Sequence, residues 1–311
     1  MTLDWLLEGD PAIRWQSLRD LADAPAEVVN AERAKVSTEG WGAELLARQS
    51  ADGNWGGDES NPEKWTSSRE WHALTTLAQL RELGIDPHGP QARSAAERTA
   101  AGVTWHWWGN NPFFVGEVEP CINGRVVAIG AYFGQDVSGL VERLLDEQMA
   151  DGGWNCEQEN GSVRGSFGTT INVLEGLLEH EHATGGSDAL LDARRRGEEF
   201  LLKRRLMRRL STGEIADPAF TRLAYPYSWH YDLLRALDHL RSAGVTDERT
   251  AEAVELVRQK QGDDGRWRLE VRHEDVLDFD MGEQVGQPSR WITLHATRVL
   301  RPQRQPSPGA T

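Results

Sequence analysis

Three segments of this 311-residue chain repeat one phrase: "RQSADGNWGG" at Arg48–Gly57, "EQMADGGWNC" at Glu147–Cys156 and "KQGDDGRWRL" at Lys260–Leu269. In each, a Gln is followed by Asp-Gly and then by a Trp six residues after the Gln. A chain that repeats a phrase in this way builds similar supersecondary units side by side. Each unit buries its apolar face against the next.

The intervening sequence shows what those units are. Five segments carry apolar residues at helical spacing: "REWHALTTLAQLRELGI" from Arg69, "CINGRVVAIGAYFG" from Cys121, "GSFGTTINVLEGLLEHE" from Gly165, "SWHYDLLRALDHLRSAGV" from Ser228 and "SRWITLHATRVL" from Ser289. They begin roughly fifty residues apart, the length of two helices and two connections, and most end near Gly, a helix stop signal. The other helix of each pair shows in "GWGAELLARQ", "GLVERLLDEQ", "ALLDARRRGEEFLLKRRLMRRL" and "RTAEAVELVRQK". No segment alternates for long like a half-buried strand, so the predicted fold class is all-α. The first group is apolar around much of its circumference, whereas the second carries Glu44, Arg48, Glu142, Arg143 and Arg258 on one face. That contrast predicts an inner ring of buried helices inside an outer ring of amphipathic ones. Residues 1–40 then form N-terminal capping helices, including "DPAIRWQSLRDLAD" at Asp10–Asp23. Residues 41–300 form the rings, and the Pro-rich 301–311 a disordered tail.

The repeated phrase resembles the QW motif of squalene–hopene cyclases and their relatives, the protein prenyltransferase β subunits, over roughly Trp41 to Leu300. The resemblance implies an α/α toroid around a central cavity; the length suits a single toroid of about five helix pairs, and scarce Lys against abundant Arg suggests a GC-rich bacterial genome. The resemblance also implies that the phrase is a structural clamp, the Trp stacking on the Gln and the Gln tying one outer helix to its neighbour. Asp-Gly supplies the tight turn this needs. The activity implied is acid- or base-assisted cyclisation or rearrangement of an apolar, isoprenoid-like molecule in the cavity.

Bulk properties narrow the partners. A net charge of −15 argues against nucleic acid, which needs a basic face. No stretch approaches the roughly 18 apolar residues of a membrane span. The start, "MTLDWLLEGD", lacks the features of a signal peptide, and two Cys imply no disulfide framework, so a cytoplasmic setting is expected. The basic stretch 194–209, "RRRGEEFLLKRRLMRR", either contacts an acidic membrane periphery or forms a solvated outer face with Glu199–Lys203 at helical spacing.

Chemistry is expected where the inner helices begin, because helix N-termini carry free N–H groups and partial positive charge. Alignment of those starts puts Trp71, Phe167 and Trp229 at one level, followed by His72, Gly168 and His230, with Tyr231 next to it. "TWHWWGNNPFF" adds Trp105, His106, Trp107 and Trp108. These aromatic faces either bind substrate and steady a cation, at about 0.5 to 2 kcal/mol per contact, or simply fill the core. His72 and His230 are candidate general acids or bases, or else ordinary partly buried imidazoles. His88, His180, His182 and His239 are expected at the surface. Where the family's cyclases protonate with Asp-x-Asp-Asp, this chain offers only "VLDFDMGE", with Asp278, Asp280 and Glu283, as acid or as solvated loop. Asp263 and Asp264 belong to the third clamp turn. The prenyltransferase β subunits hold Zn²⁺ at the cavity rim, and by that resemblance Cys121 and Cys156, with His72 or His230 and Glu157, could hold zinc for a transferase or lyase reaction. A catalytically silent toroid that binds a ligand or protein is the remaining alternative.

Overall fold

Small polar caps set where the helices begin. The side chains of Ser68, Ser166, Ser187, Asp232 and Ser289 each accept a backbone N–H from the first turn of the helix that follows. Gly84 and Gly185 end two of those helices in the left-handed conformation that glycine adopts without strain. The computed structural model describes residues 2–56, 66, 68–106, 108–273, 275 and 279–301, and statements of absence below refer to these.

The described chain is nearly all helix. The α-helices in order are α1 (Thr2–Leu7), α2 (Pro11–Asp20), α3 (Ala26–Ala34), α4 (Gly40–Ala47), α5 (Arg69–Leu83), α6 (Pro90–Gly102) and α7 (Pro120–Tyr132). They continue with α8 (Ser138–Asp146), α9 (Phe167–Thr184), α10 (Asp188–Lys203), α11 (Leu233–Ser242), α12 (Ala251–Gln259) and α13 (Arg290–Leu300). Two two-residue strands, β1 (Thr104–Trp105) and β2 (Asn111–Pro112), pair antiparallel in a small hairpin. No helix is long and apolar enough to cross a membrane.

The two expected helix types are present. In α7 every residue from Pro120 to Gly130 is buried, whereas α8 buries only Leu140, Val141 and Leu144. Helices α7 and α9 touch backbone to backbone: a Cβ on Gly124 would strike the Asn172 carbonyl, and one on Gly176 would strike Gly124. Each buried helix packs on the next, α5 on α7, α7 on α9, α9 on α11 and α11 on α13. Helix α13 then packs on α2. Helix α2 in turn reaches α5: Trp15 Nε1 donates to the Leu83 carbonyl at 2.9 Å and Gln16 Nε2 to the Glu82 carbonyl at 3.0 Å. Distant parts of the chain therefore meet, as Arg298 Nη1 and Asp20 do at 3.0 Å.

The repeated phrase acts on helix ends. Trp55, Trp154 and Trp267 each donate their indole N–H, at 2.7 Å, to the carbonyl ten residues back: Leu45, Leu144 and Val257. Those carbonyls lie in the last turns of α4, α8 and α12, where helices lack internal donors. Gln49 and Gln148 bridge from their turns to the Ala95 and Ala193 carbonyls of α6 and α10 at 2.9 and 2.7 Å. Gln261 reaches only its own turn, the Gly265 carbonyl at 3.1 Å, and Thr2 of α1 donates to that same carbonyl at 3.2 Å.

Two expectations change. Helix α6, "PQARSAAERTAAG", was not expected, because its alanines give little apolar contrast. Helix α10 stops at Lys203, with Arg205 and Leu206 at positive φ, instead of running on through the Arg-rich segment. Residues 302–311 of the expected tail lie outside the described residues.

Candidate functional site

The N-terminal turns of α5, α7 and α9 open onto one cavity of about 830 Å³. Trp71 comes from α5, Cys121 and Ile122 from α7, and Phe167 and Thr169 from α9. The segment between α10 and α11 adds Phe220, Trp229, His230 and Tyr231, and Val271 and His273 come from the segment before α13. Phe167, Phe220 and Tyr231 form a triangle of rings with centroids 4.9 to 5.2 Å apart, edge-on or tilted as their quadrupoles favour. The Tyr231 hydroxyl donates to the Leu206 carbonyl, so its ring faces the cavity as an apolar surface.

Two polar groups of side chains interrupt this wall. In the first, His230 Nε2 lies 2.8 Å from Asp275 Oδ1, and Ser228 Oγ donates to Asp275 Oδ2 at 2.8 Å. Trp71 Nε1 donates to the Asp275 carbonyl at 3.3 Å. Burial opposes ionisation of Asp275, but the hydrogen bonds from His230 and Ser228 outweigh it and hold the carboxyl at about 2. A carboxylate at that position accepts only, so His230 Nε2 carries the proton. The His230 ring lies between Trp229 and His273, with centroids at 4.0 and 3.5 Å. Burial, with the charge of His230 second, pushes His273 down to about 4, which makes it a neutral imidazole at neutral pH.

In the second group, Cys121 Sγ lies 3.4 Å from Glu119 Oε2, and Cys156 Sγ 3.4 Å from Thr169 Oγ1. Donor atoms of Glu119, Cys121 and Cys156 lie within 4.8 Å of one another. The hydrogen bond between the thiols pushes Cys121 up, helped by burial, and pulls Cys156 down. One carboxylate and two sulfurs are donors of the kind that would hold Zn²⁺. His230, His273 and Asp275 form a second group within 4.8 Å.

The structure therefore brings together Trp71, Phe167, Trp229, His230, Tyr231, Cys121 and Cys156. It places the other candidates elsewhere. Asp280 is exposed and accepts the Gly282 N–H at 2.7 Å, the role of a turn residue. Trp105 is core: its Nε1 donates to the Phe113 carbonyl at 2.7 Å and its ring stacks on Phe113. His106 and Trp108 sit exposed on the turn between β1 and β2 and do not line the chamber. His72 is half-buried against the first clamp turn near Gly56 and does not line the cavity, and burial lowers its pKa. Glu157 is exposed, and Glu119 takes the place expected for it beside the thiols. His239 is buried against Glu198 at 3.3 Å instead of lying at the surface. Asp278 and Trp107 lie outside the described residues.

Asp275, His273, Glu119 and Phe220 were missed. Asp275 lies in the same acidic stretch as the chosen carboxylates, and Glu119 two residues before Cys121; spacing alone did not separate them from their neighbours. Part of the basic stretch 194–209 is paired within the protein, through Arg194–Glu198, Arg204–Asp151 at 3.1 Å and Arg208–Glu252 among others. The helical pair Lys203–Glu199 is present at 3.9 Å. No family model matches the chain, and no curated protein matches it.

Proposed function

We propose that this chain is a single α/α toroid enzyme of the kind its clamps resemble. In this reading it holds an apolar, isoprenoid-like guest in the 830 Å³ chamber and rearranges it by proton transfer through His230. The order of helix contacts supports the toroid: α5, α7, α9, α11 and α13 succeed one another, and α2 takes a sixth place between α13 and α5. The chamber's size lies within the roughly 300 to 1,000 Å³ of small-molecule pockets. Its aromatic wall suits an apolar guest.

The observation that carries the reading is the His230–Asp275 pair at the chamber wall. Asp275 fixes the ring and its tautomer, which leaves the other ring nitrogen to exchange a proton with a guest. The pair favours base-assisted over acid-initiated chemistry. A carboxyl held at about 2 is a poor acid for protonating an alkene, and Asp280 lies away from the chamber. An imidazole oriented in this way is suited to removing a proton next to a carbonyl or at an allylic carbon, a contribution of about 10²- to 10⁴-fold in rate.

Farnesol, followed by tryptophan fluorescence, and farnesal incubated in D₂O, followed by mass spectrometry, test this. Both should bind, and farnesal should exchange or isomerise. His230→Gln should keep farnesol binding within about twofold and lose turnover by roughly 10²-fold or more. Binding without turnover, or turnover indifferent to His230→Gln, would leave a ligand-binding toroid. Absence of binding would remove the chamber from the account.

A further inference from the structure

We propose that Asn172 and Arg235 are positioning residues for His230, holding the backbone that carries the imidazole. The inference rests on the reading of His230 above and concerns what keeps that residue in place.

No helix carries His230. It lies with Ser228 and Trp229 in the irregular segment ahead of α11, and Trp229 and His230 line the chamber. Such a segment is placed only as well as its hydrogen bonds place it. Ser228 takes a φ of 50°, a left-handed conformation that an L side chain keeps only where its surroundings over-determine it. Here two buried helices hold the carbonyls of all three residues. Asn172 Nδ2 of α9 donates to the Trp229 carbonyl at 2.8 Å. Arg235 Nη1 of α11 donates to the His230 carbonyl at 2.5 Å and, at 3.4 Å, to that of Ser228.

The two side chains are themselves fixed, and neither lines the chamber. Arg235 Nη2 donates to Asn172 Oδ1 at 2.9 Å, and Asn172 Nδ2 also donates to the Gly168 carbonyl at 2.7 Å. Glu175, one turn further along α9, grips Arg235 Nε and Nη2 at 2.7 Å each. Asp232 ties the ends of the segment, accepting the Ala224 N–H at 3.0 Å and the Arg235 N–H at 2.8 Å. Asn172 is fully buried and Arg235 is 4% exposed. A buried ion pair is often no better for stability than apolar packing of the same volume, and what it supplies here is geometry. The imidazole is thus held twice, through its ring by Asp275 and through its backbone by Asn172 and Arg235. A misplacement of about 1 Å caused by a change remote from the reacting atoms can cost about 10²-fold in rate.

The test compares two buried asparagines in the full chain. Asn172→Asp keeps the volume and the acceptor for Arg235 but replaces the donor to Trp229. Asn123→Asp does the same on α7, where Asn123 holds the carbonyl and N–H of Glu117 at 2.9 Å each, away from the chamber lining. One readout is the proton signal of His230 Nε2–H in protein with isotope-labelled histidine, identified by its absence from His230→Gln. The other is deuterium exchange of farnesal. The wild type should show the signal. Asn172→Asp should lose it and slow exchange at least about tenfold, with farnesol affinity kept within about threefold. Asn123→Asp should leave both readouts unchanged, whatever it costs in stability. An intact signal and rate in Asn172→Asp, or equal losses in the two variants, would overturn the inference, because the network would then be scaffold. So would absence of the signal from the wild type. A wild type that shows the signal but does not exchange farnesal would refute the base role of His230 instead, and the signal alone would then decide what Asn172 and Arg235 hold. Should Asn172→Asp fail to fold, Arg235→Lys, which keeps a cation against Glu175 and gives up the His230 carbonyl, is expected to show the same losses.

Discussion

The same helices end in two different environments. At their N-terminal ends, indole and phenyl rings wall a cavity of about 830 Å³. Further along them lies a pocket of about 250 Å³ lined by Arg81, Glu82, Glu175, Arg235, Asp238 and Arg298 among others, Arg235 from the first turn of α11 and Arg81 and Arg298 from the last turns of α5 and α13. There several charges are paired: Arg235 grips Glu175 with two nitrogens at 2.7 Å each, Arg81 meets Glu179 at 2.8 Å, and Arg298 meets Asp238 at 2.9 Å, while Glu82 Oε2 is buried without a hydrogen-bond partner. The helix dipole accounts for part of the difference. Arg81 and Arg298 sit in the last turns of α5 and α13, where cations answer the partial negative charge, while the N-terminal ends leave positive potential for a guest.

Removing a partner at the paired end should therefore cost most. Arg235→Met strands the Glu175 carboxylate and removes donors to Asn172 and the His230 carbonyl. A loss of about 3 to 5 kcal/mol in urea unfolding is expected. Phe220→Ala at the chamber should cost distinctly less, because its ring already borders open volume. Equal losses would break the contrast between the ends.

A smaller effect follows from His295 of α13, which lines the charged pocket and shares a hydrogen bond of 3.0 Å with the Tyr227 hydroxyl. Burial, then the charge of Arg298, pushes it down to about 4. Between pH 4 and its unfolded value near 6.5 the unfolded chain binds more protons, so stability is full above about 6.5 and is lost as pH falls toward 4. The loss should be of the order of 2 to 3 kcal/mol. Glu117, raised to about 7 by burial, slopes the other way, its stabilisation present below about 4.5 and lost as pH rises through 7. The difference between wild type and His295→Gln isolates the histidine: the wild-type urea midpoint should fall more steeply on acidification. Parallel profiles would mean that His295 is not the titrating group.

The helices were legible because their causes are local. Ser and Asp caps, Gly stops and a 3.6-residue apolar rhythm are written within each segment, and the Gln–Asp-Gly–Trp phrase names its own partners at fixed spacing. Helix α6 was not legible, since alanine buries without contrast. For the cavity, Trp71 and Phe167 line it from the starts of α5 and α9, whereas Trp229 and His230 line it from the loop ahead of α11, which begins only at Leu233. What decides between Asp275 and Asp280 is how the segment before α13 folds back past Ser228 and Trp71, across 47 and 204 residues. No local pattern encodes that. Within "WHWW", Trp105 packs in the core and His106 and Trp108 sit exposed on a turn, so nearness in sequence did not mean a shared wall.

The gentlest probe sharpens the contrast most. Trp229 is 39% exposed and stacks on His230 at 4.0 Å. It makes little of the core, so Trp229→Ala should shift stability by no more than about 0.5 kcal/mol. The same substitution removes a face of the chamber and one side of the His230 stack, so farnesol affinity should drop by about three- to tenfold, as loss of about 0.5 to 1.5 kcal/mol of aromatic contact implies. A residue whose removal leaves folding alone but weakens an apolar ligand belongs to the wall. Unfolding midpoints and fluorescence titrations of one preparation separate the two outcomes. Loss of stability without loss of binding would assign Trp229 to the scaffold and draw the chamber's edge inward, to Phe167 and Phe220.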